Sequence, residues 1–171
     1  MEPFLPKIIR EMMEASRAAS VGPMAAVAGA IAERLFWDLT PLSDQIIVEN
    51  GGDIFLKTNH PVTIGIFAGD SPLSMKIGLK FDRTDSPFSI CTSSGTVGHS
   101  LSFGKADAVC VTADKGALAD AAATAIGNRV RTEKEIEMAL AFGKSIPGVT
   151  GVAIVLNRTA GFWGNLDLVR L

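Results

Sequence analysis

The apolar positions of this chain follow two different periods, and the change between them falls near Gln45. Over residues 7–19, Ile8, Ile9, Met12, Met13 and Ala15 gather on one side of a helical wheel, so the spacing predicts a helix. Val21-Gly22-Pro23 breaks it, and Pro23 suits the first position of a second helix. That helix repeats apolar residues at Met24, Val27, Ala28, Ile31 and Leu35, while Ala25, Ala26, Ala28 and Gly29 leave room for a close approach to its first turns. Beyond Gln45 the pattern predicts strands over 45–48 and 54–56, flanking the turn Asn50-Gly51-Gly52-Asp53. Further strands are expected over 62–68, 75–81 and 88–92, and the short unbroken apolar run 108–111 reads as a buried one. An alanine-rich helix follows over 117–126. Thr132 with Glu135 forms a capping box for another, which runs to Phe142 and stops at Gly143. Two strands, 152–156 and 162–169, close the chain around the turn 157–161.

Strands come in runs rather than alternating with helices, which favours an α+β class with mixed or antiparallel sheets and flanking helices. At 171 residues the chain is expected to form a single domain, 1–171. Apolar residues make up 47% and charged residues 20%, a balance that excludes a disordered or fibrous protein. The net charge of −2, with no run of Lys or Arg, speaks against a nucleic-acid partner. Cys91 and Cys110 make no disulfide framework and suit a reducing compartment. The longest apolar stretch, 23–31, is too short and alanine-rich for a bilayer, and no signal pattern follows Met1. A cytoplasmic protein is expected, without a membrane partner.

Three polar clusters carry candidate chemistry. In Glu49-Asn50-Gly51-Gly52-Asp53 the paired glycines can turn the backbone sharply and aim N–H groups at an anion, with Asn50 or Asp53 adding contacts. A plain hairpin turn is the competing account. Thr92-Ser93-Ser94-Gly95-Thr96-Val97-Gly98-His99-Ser100 offers five hydroxyls, two glycines and a histidine, a donor surface for phosphate or a polar heterocycle. A solvated loop competes here, and a Ser-His hydrolase fits less well, because no G-x-S-x-G elbow is present. Asp120 and Thr124, four apart on a helix, point the same way from a surface of methyl groups. A hard cation such as Mg²⁺ takes oxygens of this kind together with a substrate phosphate. Alternatively Thr124 bonds back to the carbonyl of residue 120. Gly143-Lys144-Ser145 is no P-loop, since Met138 stands where its first glycine belongs, and the cysteines and histidines lack zinc-ligand spacing.

The succession Ile90-Cys91-Thr92-Ser93-Ser94-Gly95, Ala106-Asp107-Ala108-Val109 and 118–125, preceded by the Gly51-Gly52-Asp53 turn, resembles the ApbE superfamily. Segments 21–33 and 93–104 are more similar still to an uncharacterised branch of it. ApbE enzymes are FAD:protein FMN transferases that hold FAD with Mg²⁺ and move FMN onto a threonine or serine of an acceptor protein. The resemblance implies a T-fold-like architecture and metal ligation by Asp120 and Thr124, with a main-chain carbonyl near Val27. It also implies flavin or phosphate contacts from Asn50, Gly51, Gly52 and Asp53 and from Thr92, Ser93, Ser94, Gly95 and His99. Where the transferases carry a Lys-Gly pair, this chain has Ala28-Gly29. It is also expected to lack the superfamily's N-terminal region. The expected function is therefore binding of FAD, FMN or another small phosphorylated cofactor with a divalent cation. Its alternatives are Mg²⁺-dependent FMN transfer to a protein acceptor, or a structural subunit, with homo-oligomers compatible with each.

Overall fold

The computed structural model describes residues 4–84, 86–98 and 102–171. Helix α1 (Lys7–Ala19) occupies the span its periodicity predicts and buries Met12, Ala15, Ser16 and Ala19. It ends at Ser20, which takes a left-handed conformation (φ 59°) and returns its N–H to the Arg17 carbonyl. A 3₁₀ turn over Pro23–Ala26 then leads into α2 (Val27–Leu39). The buried side of α2 is Gly29, Ala30, Ala32, Glu33 and Phe36. Met24, Ile31 and Leu35, which the apolar period places inward, are 73%, 46% and 46% exposed. The helix is pressed between a second helix and a sheet, and at the helix crossing only its small residues fit. Further along, Phe36 and Trp37 make aromatic contacts, with their rings 5.0 Å and 6.3 Å from that of Phe55.

The strands form two sheets in which every pairing is antiparallel. The larger holds β1 (Ile46–Asn50), β2 (Asp53–Lys57), β5 (Phe88–Ser93), β6 (Ala108–Ala113), β7 (Val149–Leu156) and β8 (Thr159–Gly164), in the order β1-β2-β5-β6-β7-β8. The smaller has the order β3-β4-β9, from β3 (Val62–Gly65), β4 (Ile77–Phe81) and β9 (Asp167–Arg170). Helices α3 (Gly116–Gly127) and α4 (Ile136–Ser145) join α1 and α2, giving an α+β protein with antiparallel sheets and, among the described residues, four α-helices.

Strand β6 shows why its apolar run is unbroken. Val109 and Val111 face the helices and pack with Ala121, Ala122 and Ile126, while Ala108 and Cys110 face the small sheet and pack with Leu79 and Ile66. Both faces are thus buried, and each valine contributes roughly 1.5–3 kcal/mol relative to exposure. Before α4, the Glu135 carboxylate accepts the N–H groups of Arg131 (2.7 Å) and Thr132 (2.8 Å), as a capping box requires, although the first turn is 3₁₀ (Glu133–Glu135).

Three expectations are corrected. Helix α4 does not stop at Gly143 but runs through it to Ser145, since this glycine serves close packing, with a Cβ there only 2.8 Å from Ile126 Cδ1. The strand predicted over 162–169 is two strands in different sheets, because Gly164 turns the chain at φ 97°, with a Cβ there only 2.2 Å from the Thr150 carbonyl oxygen. Strands β7 and β8 are joined by Asn157-Arg158 alone, since Asn157 adopts φ 54°. No helix among the described residues is long and apolar enough to cross a membrane.

Candidate functional site

The site begins where α2 and α3 cross. A Cβ on Gly29 would stand 2.3 Å from the Gly116 carbonyl oxygen, and one on Gly116 would stand 2.2 Å from that of Gly29. Only glycine at both positions allows this approach. Four residues beyond each glycine stands a carboxylate. Asp120 accepts the Gly29 N–H at 3.0 Å, and Glu33 accepts the Gly116 N–H at 2.7 Å. Each helix therefore caps the other's start, satisfying N–H groups that lack a partner in the helix itself.

Beside the crossing, the Gly51-Gly52 turn joins β1 to β2, with both glycines at positive φ (66° and 99°). Asn50 fixes this turn to α2 through a hydrogen bond from Nδ2 to the Ala28 carbonyl at 3.1 Å. The Gly52 N–H donates to Glu49 Oε1 at 3.0 Å. Asp53 opens β2, and its Oδ1 accepts the Thr92 N–H of β5 at 3.1 Å.

These elements surround a cavity of about 750 Å³. Glu49, Gly51, Gly52, Asp53, Thr92, Ser93, Ser94, Gly98, Asp120 and Thr124 form its polar wall, and Ile47, Ile54, Ile64, Ile66, Phe67 and Val97 its apolar one. No Lys or Arg lines it among the described residues. Burial pushes Asp53 up to about 7, and the charge of Asp120 adds to the rise. Burial likewise raises Asp120 to about 6, against the N–H groups of Gly29 and Ala28, which favour its charged form. Behind Asp53, burial holds the Cys91 thiol well above its usual range, and burial raises Cys110, which reaches the cavity lining, to about 11.

Sequence-predicted residues from all three clusters meet in this cavity: Gly51, Gly52, Asp53, Thr92, Ser93, Ser94, Asp120 and Thr124. Asn50 and Gly95 lie outside its lining, the former tied to α2 and the latter packed where a Cβ would meet the Gly104 carbonyl oxygen at 2.4 Å. His99 lies outside the described residues. The Thr124 hydroxyl makes no hydrogen bond among the described residues, so the bond back to residue 120 is not formed. Ser94 shapes its own loop by accepting the N–H groups of Thr96 (3.1 Å) and Val97 (2.8 Å).

The donor set fits a hard cation: a carboxylate with one oxygen committed to Gly29, a hydroxyl four residues on that is unpartnered among the described residues, and a second carboxylate close enough to feel the first. Among the described residues no three acidic, His or Cys side chains gather as a preformed metal cluster. Two residues that support the site gained no role from the sequence. Glu33 looks like any helical glutamate, although it is 7% exposed. Asp107, equally buried, accepts Thr96 Oγ1 at 3.1 Å and the Asn157 N–H at 2.7 Å, anchoring the 94–98 loop. Glu49, named in the first polar cluster without a role, closes the turn by accepting the Gly52 N–H and lines the cavity.

Residues 1–161 match the family described as AbpE bacteria. A UPF0280 protein of Methanococcus aeolicus is 44% identical over 171 residues, covering 97% of this chain and 69% of the relative. One from Methanocaldococcus jannaschii is 46% identical over 176 residues (99% and 71%), and one from Methanosarcina acetivorans 42% over 166 residues (96% and 65%). The match over residues 1–161, which includes the Gly51-Gly52 turn, the Thr92–Ser94 edge and α3, makes this chain a member of the AbpE bacteria family, akin to the UPF0280 proteins.

Proposed function

We propose that the cavity binds a flavin nucleotide or another small phosphorylated cofactor together with a divalent cation, on an ApbE-like fold. The observation that carries this reading is the convergence of Asp120, Thr124 and Asp53 with the Gly51-Gly52 turn and the Thr92–Ser94 edge on one wall. Asp120 and Thr124 would hold the cation, which supplies positive charge for phosphate oxygens. The neutral hydroxyls and main-chain groups of the β5 edge would orient the phosphate, and the isoleucine-rich wall would take an apolar ring.

The reading stops short of FMN transfer. Cleaving a diphosphate builds negative charge on the transferring and leaving oxygens, and catalysis depends on preorganised cations to meet it. Ala28 supplies none, and no basic side chain lines the cavity among the described residues.

Thermal unfolding tests the reading. Mg²⁺ or Mn²⁺ with FMN or FAD at about a hundredfold excess over Kd should raise Tm by roughly 5–10 °C. Asp120→Asn, which keeps an oxygen for the Gly29 N–H, should remove most of that rise. No stabilisation by any flavin with either cation, and no flavin or nucleotide in the mass spectrum of the natively purified protein, would overturn it.

A further inference from the structure

We propose that Asp53 is the specificity-determining carboxylate of this cavity: beside Asp120, it makes the site refuse a free phosphate ester and accept one only as its divalent-cation complex. This rests on the phosphorylated-cofactor reading above and adds to it a residue and a rule of admission.

The position of Asp53 is built rather than incidental. The Gly51-Gly52 turn delivers it as the first residue of β2, and the Thr92 N–H holds its carboxylate at the cavity wall. It is 6% exposed, so bulk water screens its charge poorly. Asp120 acts on it through the same space, and Glu49 adds a third negative charge to the lining. Against these three carboxylates the cavity sets only neutral donors among the described residues. One of these, the Gly52 N–H, is already taken by Glu49.

At pH 8, above the values of about 7 and about 6 to which burial raises Asp53 and Asp120, both carboxylates are ionised, and a phosphate monoester brings two negative charges. Entering alone, it would stand against like charges in a partly desolvated site, where each such contact outweighs a neutral hydrogen bond. A divalent cation reverses the sign of that contact. It draws Asp53 and Asp120 together as acceptors and gives the phosphate a positive partner. Selection thus comes from repulsion of the unaccompanied ester as much as from attraction of the complex. A ligand with the same ring but no phosphate escapes the rule, since the apolar wall does not depend on charge.

Riboflavin and FMN, which differ by one phosphate, are the probes. Quenching of flavin fluorescence is measured at pH 8 with wild-type protein in EDTA and in Mg²⁺ or Mn²⁺. Riboflavin should bind alike in both, whereas FMN should bind roughly tenfold or more weakly in EDTA, the size of one poorly screened charge contact. Asp53→Asn keeps an acceptor for the Thr92 N–H and should bring FMN binding in EDTA close to that of riboflavin, while shrinking the gain from cation. Circular dichroism establishes that the variant folds. If it does not, the wild-type contrast between the two flavins decides the matter alone. FMN binding equally well with and without cation overturns the inference and leaves the cofactor reading standing, as does an Asp53→Asn protein that still needs the cation. Failure of both flavins to bind under every condition removes the underlying reading and this inference with it.

Discussion

Gly29 and Gly116 meet where α2 and α3 cross, and each carbonyl oxygen fills the place where the other's Cβ would be. The contact brings Asp120 and Glu33 within reach of the opposing helix starts. Alanine is the better helix former by about 1 kcal/mol, yet Gly29→Ala forces a Cβ against the Gly116 carbonyl. A net destabilisation of about 1–3 kcal/mol is expected in urea unfolding, with a matching loss from Gly116→Ala. An unchanged midpoint in both would mean that the helices can part without cost.

Glu33→Ala leaves the Gly116 N–H buried without its acceptor, at a cost of about 1–3 kcal/mol. Glu33→Gln keeps an oxygen there and should lose less than half as much. Equal losses would indicate that charge, rather than the cap, is what Glu33 supplies.

Stability should depend on pH through Asp53 and Asp120. Their folded-state values of about 7 and about 6 lie above the ordinary 3.8, so the unfolded chain gives up its protons first as pH rises. The stabilisation is full below pH 4 and is lost on the way to pH 7. For the cation-free protein the pair should cost about 1–4 kcal/mol over that range. Urea unfolding of wild type and Asp53→Asn at pH 4.5 and 7.5 measures it. The variant should gain on wild type at the higher pH, and a constant difference would show an ordinary carboxyl at position 53.

Thr124 is expected to matter for binding alone. With its hydroxyl unpartnered among the described residues, Thr124→Ala should change stability by less than about 0.5 kcal/mol. Under the cation reading it should weaken Mn²⁺ binding, followed by electron paramagnetic resonance. A variant that binds Mn²⁺ like wild type would take Thr124 out of the cation's coordination.

Asp107→Ala should loosen the 94–98 loop. Two partners are lost, the Thr96 hydroxyl and the Asn157 N–H, and the latter is left without its acceptor. Amide exchange at Thr96, Val97 and Asn157 should speed up while the β6 amides keep their protection. Unchanged exchange at all three would show that the loop is held by other contacts.

Much of this was legible in the chain. The span of α1, the Gly-Gly hairpin, the buried β6 and the capping box at Thr132 each rest on local patterns that tertiary contacts left intact. The inward face of α2 was not legible. Its larger apolar residues suggest one side, but the crossing with α3 admits only small ones, and that constraint belongs to a helix almost ninety positions later in the chain. The strand predicted over 162–169 failed for a similar reason, because both halves are apolar and only Gly164 marks the change of sheet. Asp120 and Thr124 showed themselves by their spacing. Glu33 and Asp107 did not, because their partners are backbone or hydroxyl groups distant in sequence.

Asp120 serves two neighbours at once. One of its oxygens closes the start of α2 at Gly29, while the carboxylate stands in the cavity wall. Whatever draws on that carboxylate from the cavity competes with α2 for the same lone pairs. Occupancy would then register in how firmly the first turn of α2 is wound. Through the interlocked glycines the tension reaches the first turn of α3, where Glu33 and Lys115 pair at 3.4 Å. The crossing works as a lever with a helix start at either end, and its fulcrum is a pair of residues with no side chains to bend.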